Sequence, residues 1–340
     1  MSDEVIHVAH DNQIMRLVQL HEQAQDFAEH ATAERSAHEQ AQDWKRFELW
    51  CASEHLTALP ALPETVASFA ADVAANGFTL GQGKQKGKGR PYKPATVVRH
   101  LASVAMVHRR AGFDSPCDST TVKDTTRGIK RKKAKDGVRR EKKAAALADT
   151  VKAMVAECDR TTLAGIRDAA LMLVGFAGAF RRSELAGLNR EDIVIDSDGM
   201  LIRLRRSKTD QEGDGIDKWI QRGQNGTCPV KVLEQWIEQA GIQSGPLFRA
   251  VDRHGKPRQN GLCDRTVAEV VKKLAKAANL DPAQFSGHSL RRGHAQEATR
   301  GGATVKQIMD HVGWQSERTA HGYMDDANVK NRSTSGKIGL

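Results

Sequence analysis

The chain has 340 residues, 52 Lys and Arg against 42 Asp and Glu, and 39% hydrophobic residues. That composition excludes a disordered chain and suits about two folded domains. Five cysteines, Cys51, Cys117, Cys158, Cys228 and Cys263, form no CxxC pair, so neither a disulfide framework nor a zinc knuckle is expected.

The thirteen histidines are scattered without clustered Cys or carboxylate partners, so no metal and no cofactor are expected. The stretch MSDEVIHVAHD carries no signal-peptide pattern. The longest nearly apolar run, AALMLVGFAGAF over 169–180, is too short to span a bilayer and reads as a buried helix. The expectation is a cytoplasmic protein with no membrane partner.

In chain order, residues 1–130 read as a small helical domain. Ile14, Leu17, Val18 and Ala24 share one helical face, and Trp44, Phe47 and Cys51 share another, with Trp50 beside them. A helix after Pro63 turns Val66, Phe69, Ala70 and Val73 inward. Pro94 suits the first turn of a helix whose apolar side is Val97, Leu101, Val104 and Ala105. Residues 131–145 lack an apolar period and read as a basic linker.

The net charge of +10 is unevenly placed. Residues 81–113 contain eight Lys or Arg and no Asp or Glu, and 127–143 contain ten basic residues against two acidic ones. One such run is as readily a solvated loop or linker as a binding surface; two flanking one helix favour a polyanion, because each phosphate contact releases a counterion. The candidate DNA contacts are Lys84, Lys86, Lys88, Arg90, Tyr92, Lys93 and Arg99 in the first block, and Lys130, Arg131, Lys132 and Lys133 in the second.

Residues 146–340 read as a mixed domain. Helix over 166–188 is interrupted near Gly175 and Gly178. Met200, Ile202 and Leu204 alternate at period two, and a second strand near DKWIQ completes a hairpin. Helices follow in PVKVLEQWIEQAG, in RTVAEVVKKLAKAANL and from SGHSLRRGHA onward, with glycine stops at 301, 302 and 313. The predicted fold class is mainly α with a small β-hairpin or sheet, the second domain being α+β.

Two segments carry charge in patterns that matter for chemistry. In GHSLRRGHA, His288 and Arg291 share a face near a helix start, a plausible phosphate site. In FRRSELAGL, Arg181 or Arg182 pairs with Glu184. Together with a lysine in the hairpin, Trp314 twenty-three residues after Arg291, and Tyr323 nine after Trp314, this order resembles the tyrosine recombinases, or phage integrase family, over residues 147–327. Chain length and Trp314 resemble the Cre-like phage recombinases most.

The resemblance implies a two-domain clamp on DNA and an enzyme that cleaves and rejoins strands through a 3′-phosphotyrosyl intermediate, without metal or ATP. It assigns Tyr323 as nucleophile, Arg181 and Arg291 as holders of the phosphate oxygens, His288 as general base, Lys208 as donor to the leaving oxygen, Trp314 as a steering residue, and Glu184 as support. Both arginine boxes are doublets, so Arg182 and Arg292 compete with Arg181 and Arg291. His311, one helical turn before Trp314, either approaches the site or, as the preferred reading, is a helix surface residue, and His294 has no assigned role.

The implied partner is double-stranded DNA with inverted half-sites, bound by a tetrameric synapse, in a nucleoid of bacterial or phage origin. Residues 328–340 are expected to pack on a neighbouring protomer. A type IB topoisomerase-like relaxing enzyme, or a DNA-binding protein with an inactive site, are the competing readings.

Overall fold

The computed structural model describes residues 34–78, 89–138, 143–205 and 215–324, with isolated positions 16, 20 and 23. The face of Ile14, Leu17, Val18 and Ala24, the lysines 84, 86, 88 and 208, and the tail after Met324 lie outside the described residues. The chain divides into two units, Met1–Arg140 and Glu141–Leu340.

The first unit is helical: α1 (Glu34–Ser53), α2 (Pro63–Ala75), α3 (Pro94–Arg110) and α4 (Thr120–Lys135). Pro63 and Pro94 open their helices, where the absent N–H has no partner to lose. Phe47, Phe69, Val66, Val73, Val97, Leu101 and Val104 form the core, each large side chain contributing about 1.5–3 kcal/mol on burial. Polar cross-ties fix the helix spacing: Trp50 Nε1 donates to Asp72 at 2.8 Å, and His108 Nε2 accepts from the Ala61 N–H at 2.9 Å.

The expected linker over 131–145 is corrected at both ends. Residues 131–135 complete α4, which Ser119 caps through the Val122 N–H at 3.3 Å. Lysine and arginine are good helix formers, and Val122 and Ile129 anchor this otherwise polar helix to the core. At the other end, Ala144 and Ala146 donate their N–H groups to Gln284 and Ser289 carbonyls at 2.8 and 3.0 Å. Gly293 permits this approach, since a Cβ there would lie 1.7 Å from the Ala146 carbonyl oxygen.

The second unit continues with α5 (Ala148–Ala156), α6 (Leu163–Ala177), the short α7 (Arg182–Ala186), β1 (Ile193–Ile195), β2 (Gly199–Leu204), β3 (Ile216–Gln221), α8 (Pro229–Gln239), β4 (Arg249–Val251), β5 (Pro257–Gly261), α9 (Asp264–Ala277), α10 (Gly287–Arg300), α11 (Val305–Val312) and α12 (Glu317–Met324). Helix α6 is buried along most of its length, from Ile166 to Gly175 with Arg167 at the edge. It is the centre of the main core, as an all-round apolar helix must be.

The predicted hairpin is part of a three-stranded antiparallel sheet, β1-β2-β3. Met200, Ile202 and Leu204 do face inward, opposite Ile220, Lys218 and Ile216. A separate two-stranded sheet pairs β4 with β5. The turn from α11 to Trp314 uses Gly313 at φ 77°, the left-handed cap that favours glycine. No described helix is long and apolar enough to cross a membrane.

Candidate active site

The site is built around the exit of α6. Gly178 caps that helix, and Ala179 then takes φ 49°, a left-handed backbone uncommon outside glycine and costing about 1–3 kcal/mol. This turn delivers Arg181 to the N-terminus of α7. Three successive carbonyls of the turn are each taken by a side chain from another element. Ala177 accepts from His311 Nε2 at 2.8 Å, Gly178 from Lys218 Nζ at 2.9 Å, and Ala179 from Arg291 Nη1 at 2.7 Å.

Glu184, in the first turn of α7, accepts from the Arg181 backbone N–H at 2.8 Å and from Arg181 Nη1 at 2.5 Å. The oxygen that takes the backbone N–H, Oε2, also lies 3.8 Å from Arg291 Nη1. One buried carboxylate therefore stands between two guanidinium groups. Arg291 is 1% exposed, and burial, reinforced by the charge of Arg181, pushes its pKa down to about 10. Its Nη2 has no hydrogen-bond partner among the described residues. A buried donor of this kind calls for an acceptor.

Lys218 projects from β3 into the same cluster and is 1% exposed. Its ammonium donates to the Gly178 and His311 carbonyls and lies 5.3 Å from the centre of the Phe180 ring. Burial, with the charge of Arg291 next, lowers its pKa to about 7. Three basic groups, Arg181, Arg291 and Lys218, thus share one carboxylate, an arrangement that favours an anion.

The remaining members come from the C-terminal helices. Tyr323 on α12 places its phenol oxygen 2.7 Å from His288 Nε2, at the exposed start of α10. The Tyr323 ring stacks on Trp314, with centroids 4.8 Å apart and planes 13° from parallel. Trp314 in turn faces Arg291, whose guanidinium carbon lies 5.6 Å from its ring centre. Ala179, Ala295, Ile308, Val312, Ala320 and Met324 form the apolar floor beneath them.

The structure therefore gathers Tyr323, His288, Arg291, Arg181, Glu184 and Trp314 at one place. It also separates the doublets. Arg182 forms an ion pair with Asp264 at 3.6 Å, and Arg292 donates to the Lys143 carbonyl at 2.5 Å. Lys208 belongs to the connection between β2 and β3, outside the described residues.

His311 is corrected: it is not a surface residue but stacks on His294, with centroids 4.6 Å apart, while holding Ala177. The His294 ring also meets Phe176 edge-on. Burial, then the neighbouring His311, lowers the His294 pKa to about 3, and burial lowers that of His311. Sequence reasoning missed Lys218. The signal available was parity, since a strand that turns Ile220 inward must turn residue 218 inward too.

In the first unit Arg90, Lys93, Lys130, Arg131 and Lys132 are exposed and Lys133 is half-exposed. Two other candidate DNA contacts have structural partners. Arg99 pairs with Asp43 at 3.0 Å and Glu39 at 3.7 Å. Tyr92 stacks on buried His100, with centroids 5.1 Å apart, and packs against the core. Its ring is therefore not a free stacking surface. Among the described residues no group of His, Cys, Asp and Glu side chains is placed to hold a metal.

Residues 146–329 match the profile of the phage integrase family. An integrase/recombinase xerD homolog of Selenomonas ruminantium is 34% identical over 291 residues, covering 84% of this chain and 80% of that protein. The recombinase cre of Escherichia phage P1 is 28% identical over 293 residues, covering 81% and 79%. Among solved structures, a lambda integrase (75-356) dimer bound to a COC′ core site superposes with a TM-score of 0.58 at 17% identity, covering 92% and 95%. That likeness shows a shared fold.

Proposed function

The chain belongs to the phage integrase family and is a site-specific tyrosine recombinase, and from that premise we propose that Tyr323 is its nucleophile. The phenol oxygen attacks a DNA phosphodiester, the bond from phosphorus to the 5′ oxygen breaks, and a 3′-phosphotyrosyl bond replaces it. The supporting observation is the 2.7 Å contact between Tyr323 Oη and His288 Nε2, beside the unpartnered Nη2 of Arg291. A phenol with an ordinary pKa of about 10 needs a base to become a good nucleophile, and His288 is in reach to take the proton.

Arg181 and Arg291 hold the non-bridging oxygens, with forked donors facing charge that grows in the transition state. Glu184 fixes both guanidinium groups and limits their mutual repulsion. Lys208 delivers the proton that the departing 5′ oxygen requires. No metal or other cofactor enters this scheme, because the arginines supply the charge and the lysine the proton.

The partner is double-stranded DNA. Arg90, Lys93 and the exposed basic face of α4 suit its backbone, and Lys84, Lys86 and Lys88 are proposed to join them. The lambda integrase structure is a dimer on its core site; for this chain we propose inverted half-sites and a tetrameric synapse.

A nicked target that lets the short product diffuse away tests this scheme. Wild-type protein should become covalently attached, and peptide mapping should find the 3′ phosphate on Tyr323. Lys208→Ala should slow cleavage, and a 5′ sulfur leaving group, which needs no proton, should restore much of the rate. Attachment at another residue, or no restoration by sulfur, contradicts the assignment concerned.

A further inference from the structure

The cluster contains a buried basic group for which the strand-cleavage scheme has no use. Lys218 has three ammonium protons and two carbonyl acceptors, with the Phe180 ring against its remaining side. No donor is left for a leaving oxygen, so this is not a proton-delivering lysine. Nor is its charge explained by stability alone. Taking an ammonium out of water is costly, and apolar side chains of similar volume often serve a core as well or better.

The acceptors show what the group does. Gly178 is the cap of α6, and His311 lies in the last turn of α11. Both carbonyls are among those a helix end leaves without an internal partner, at the negative end of its dipole. Two helix C-termini thus converge on one side chain, which projects from the return strand of the hairpin. One residue after Gly178 comes the Ala179 carbonyl that holds Arg291, and three after it comes Arg181. Three residues after His311 comes Trp314, which carries the Tyr323 ring.

We propose that Lys218 is a positioning residue that sets the distance between the arginine-bearing turn and the Trp314–Tyr323 segment, and ties the hairpin carrying Lys208 to both. This rests on the reading of Tyr323 and the two arginines given above. Arg291, Arg181, Glu184, His311 and His294 are the titratable groups that surround it. The tie does not depend on the ammonium charge, because a neutral amine keeps two N–H donors for the two carbonyls. Reactive geometry is steep in distance, and a displacement of about 1 Å is worth roughly a hundredfold in rate.

Single-turnover cleavage of the nicked target, with oxygen and with 5′ sulfur leaving groups, tests the proposal in Lys218→Met and Lys218→Gln. Lys218→Met should bind a half-site within about threefold of wild type yet cleave roughly 30- to 300-fold more slowly. The deficit should be equal for both leaving groups and level from pH 6.5 to 9. Lys218→Gln, which keeps a donor for one carbonyl, should fall between. Cleavage by both variants within about threefold of wild type overturns the proposal. So does rescue by sulfur or a deficit that vanishes above pH 7, either of which would make Lys218 the proton donor. If both variants are unfolded or fail to bind DNA, Lys218 holds the fold rather than the site, and the proposal is again wrong. A wild-type protein that forms no adduct would instead remove the Tyr323 reading on which the proposal stands.

Discussion

The Tyr323 ring lies flat on the indole of Trp314, 13° from parallel, while its phenol oxygen meets His288. One side chain thus stacks on the ring of the proposed nucleophile and another contacts its phenol oxygen. The same indole faces Arg291, so the proposed nucleophile and the proposed phosphate-holding group share a wall.

Trp314→Leu should loosen that arrangement. An aromatic pair contributes about 0.5–1.5 kcal/mol beyond its burial, which corresponds to roughly 2- to 12-fold in the aligned population of Tyr323. Single-turnover cleavage should slow by at least that factor, and Trp314→Phe, which keeps a ring, should lose less. Trp314→Ala would cost about 3–5 kcal/mol of stability and confuse folding with alignment. Equal rates for wild type and Trp314→Leu would show that the stack does not restrain the nucleophile.

The arginine doublet on α10 makes a second comparison. Arg291→Lys keeps a charge but loses the fork, and cleavage should fall about 100-fold or more, as expected for an oxyanion-type donor. Arg292→Ala removes the bond to the Lys143 carbonyl, about 1 kcal/mol, and should lower Tm by a few degrees with the cleavage rate preserved. Reversed outcomes would exchange the two roles.

Acid should destabilise the protein through the stacked histidines. His294 titrates at about 3 in the folded chain, against about 6.5 when unfolded. The unfolded chain therefore binds the extra proton first, and stability falls as pH drops below about 6.5. Between those two values the folded chain binds one proton fewer than the unfolded chain, so the loss approaches about 1.4 kcal/mol per pH unit. His311, Lys218 and Arg291 are the neighbouring groups that add to the effect. Urea unfolding from pH 7 to pH 5 should show a smaller loss in His294→Phe than in wild type, and equal losses would place the acid sensitivity elsewhere.

The helical members of the site were legible because fixed spacing on helices survives without a structure. Arg181 with Glu184, His288 with Arg291, and Trp314 before Tyr323 each show in the letters alone. Doublet identity was not, since Arg291 and Arg292 differ in which side of α10 they occupy. Lys218 was hidden for a different reason. A lysine beside a tryptophan in a strand reads as the outward partner, yet pairing with Ile202 puts Lys218 inside and leaves Trp219 44% exposed. The end of α4 reads as linker in the letters because its helix is anchored by Val122 and Ile129 rather than by a full apolar stripe. β4 and β5 gave no apolar alternation, and β5 is largely exposed.

The most direct measurement compares wild type, Tyr323→Phe and Tyr92→Phe on the nicked target site in EDTA. Tyr323→Phe removes one oxygen and leaves the ring to stack on Trp314, so it should bind the site normally and form no SDS-resistant adduct. Wild type and Tyr92→Phe should both form the adduct, and the chelator should not prevent it, because Arg181 and Arg291 supply the charge. An adduct from Tyr323→Phe, or wild-type cleavage only after magnesium is added, would contradict the mechanism.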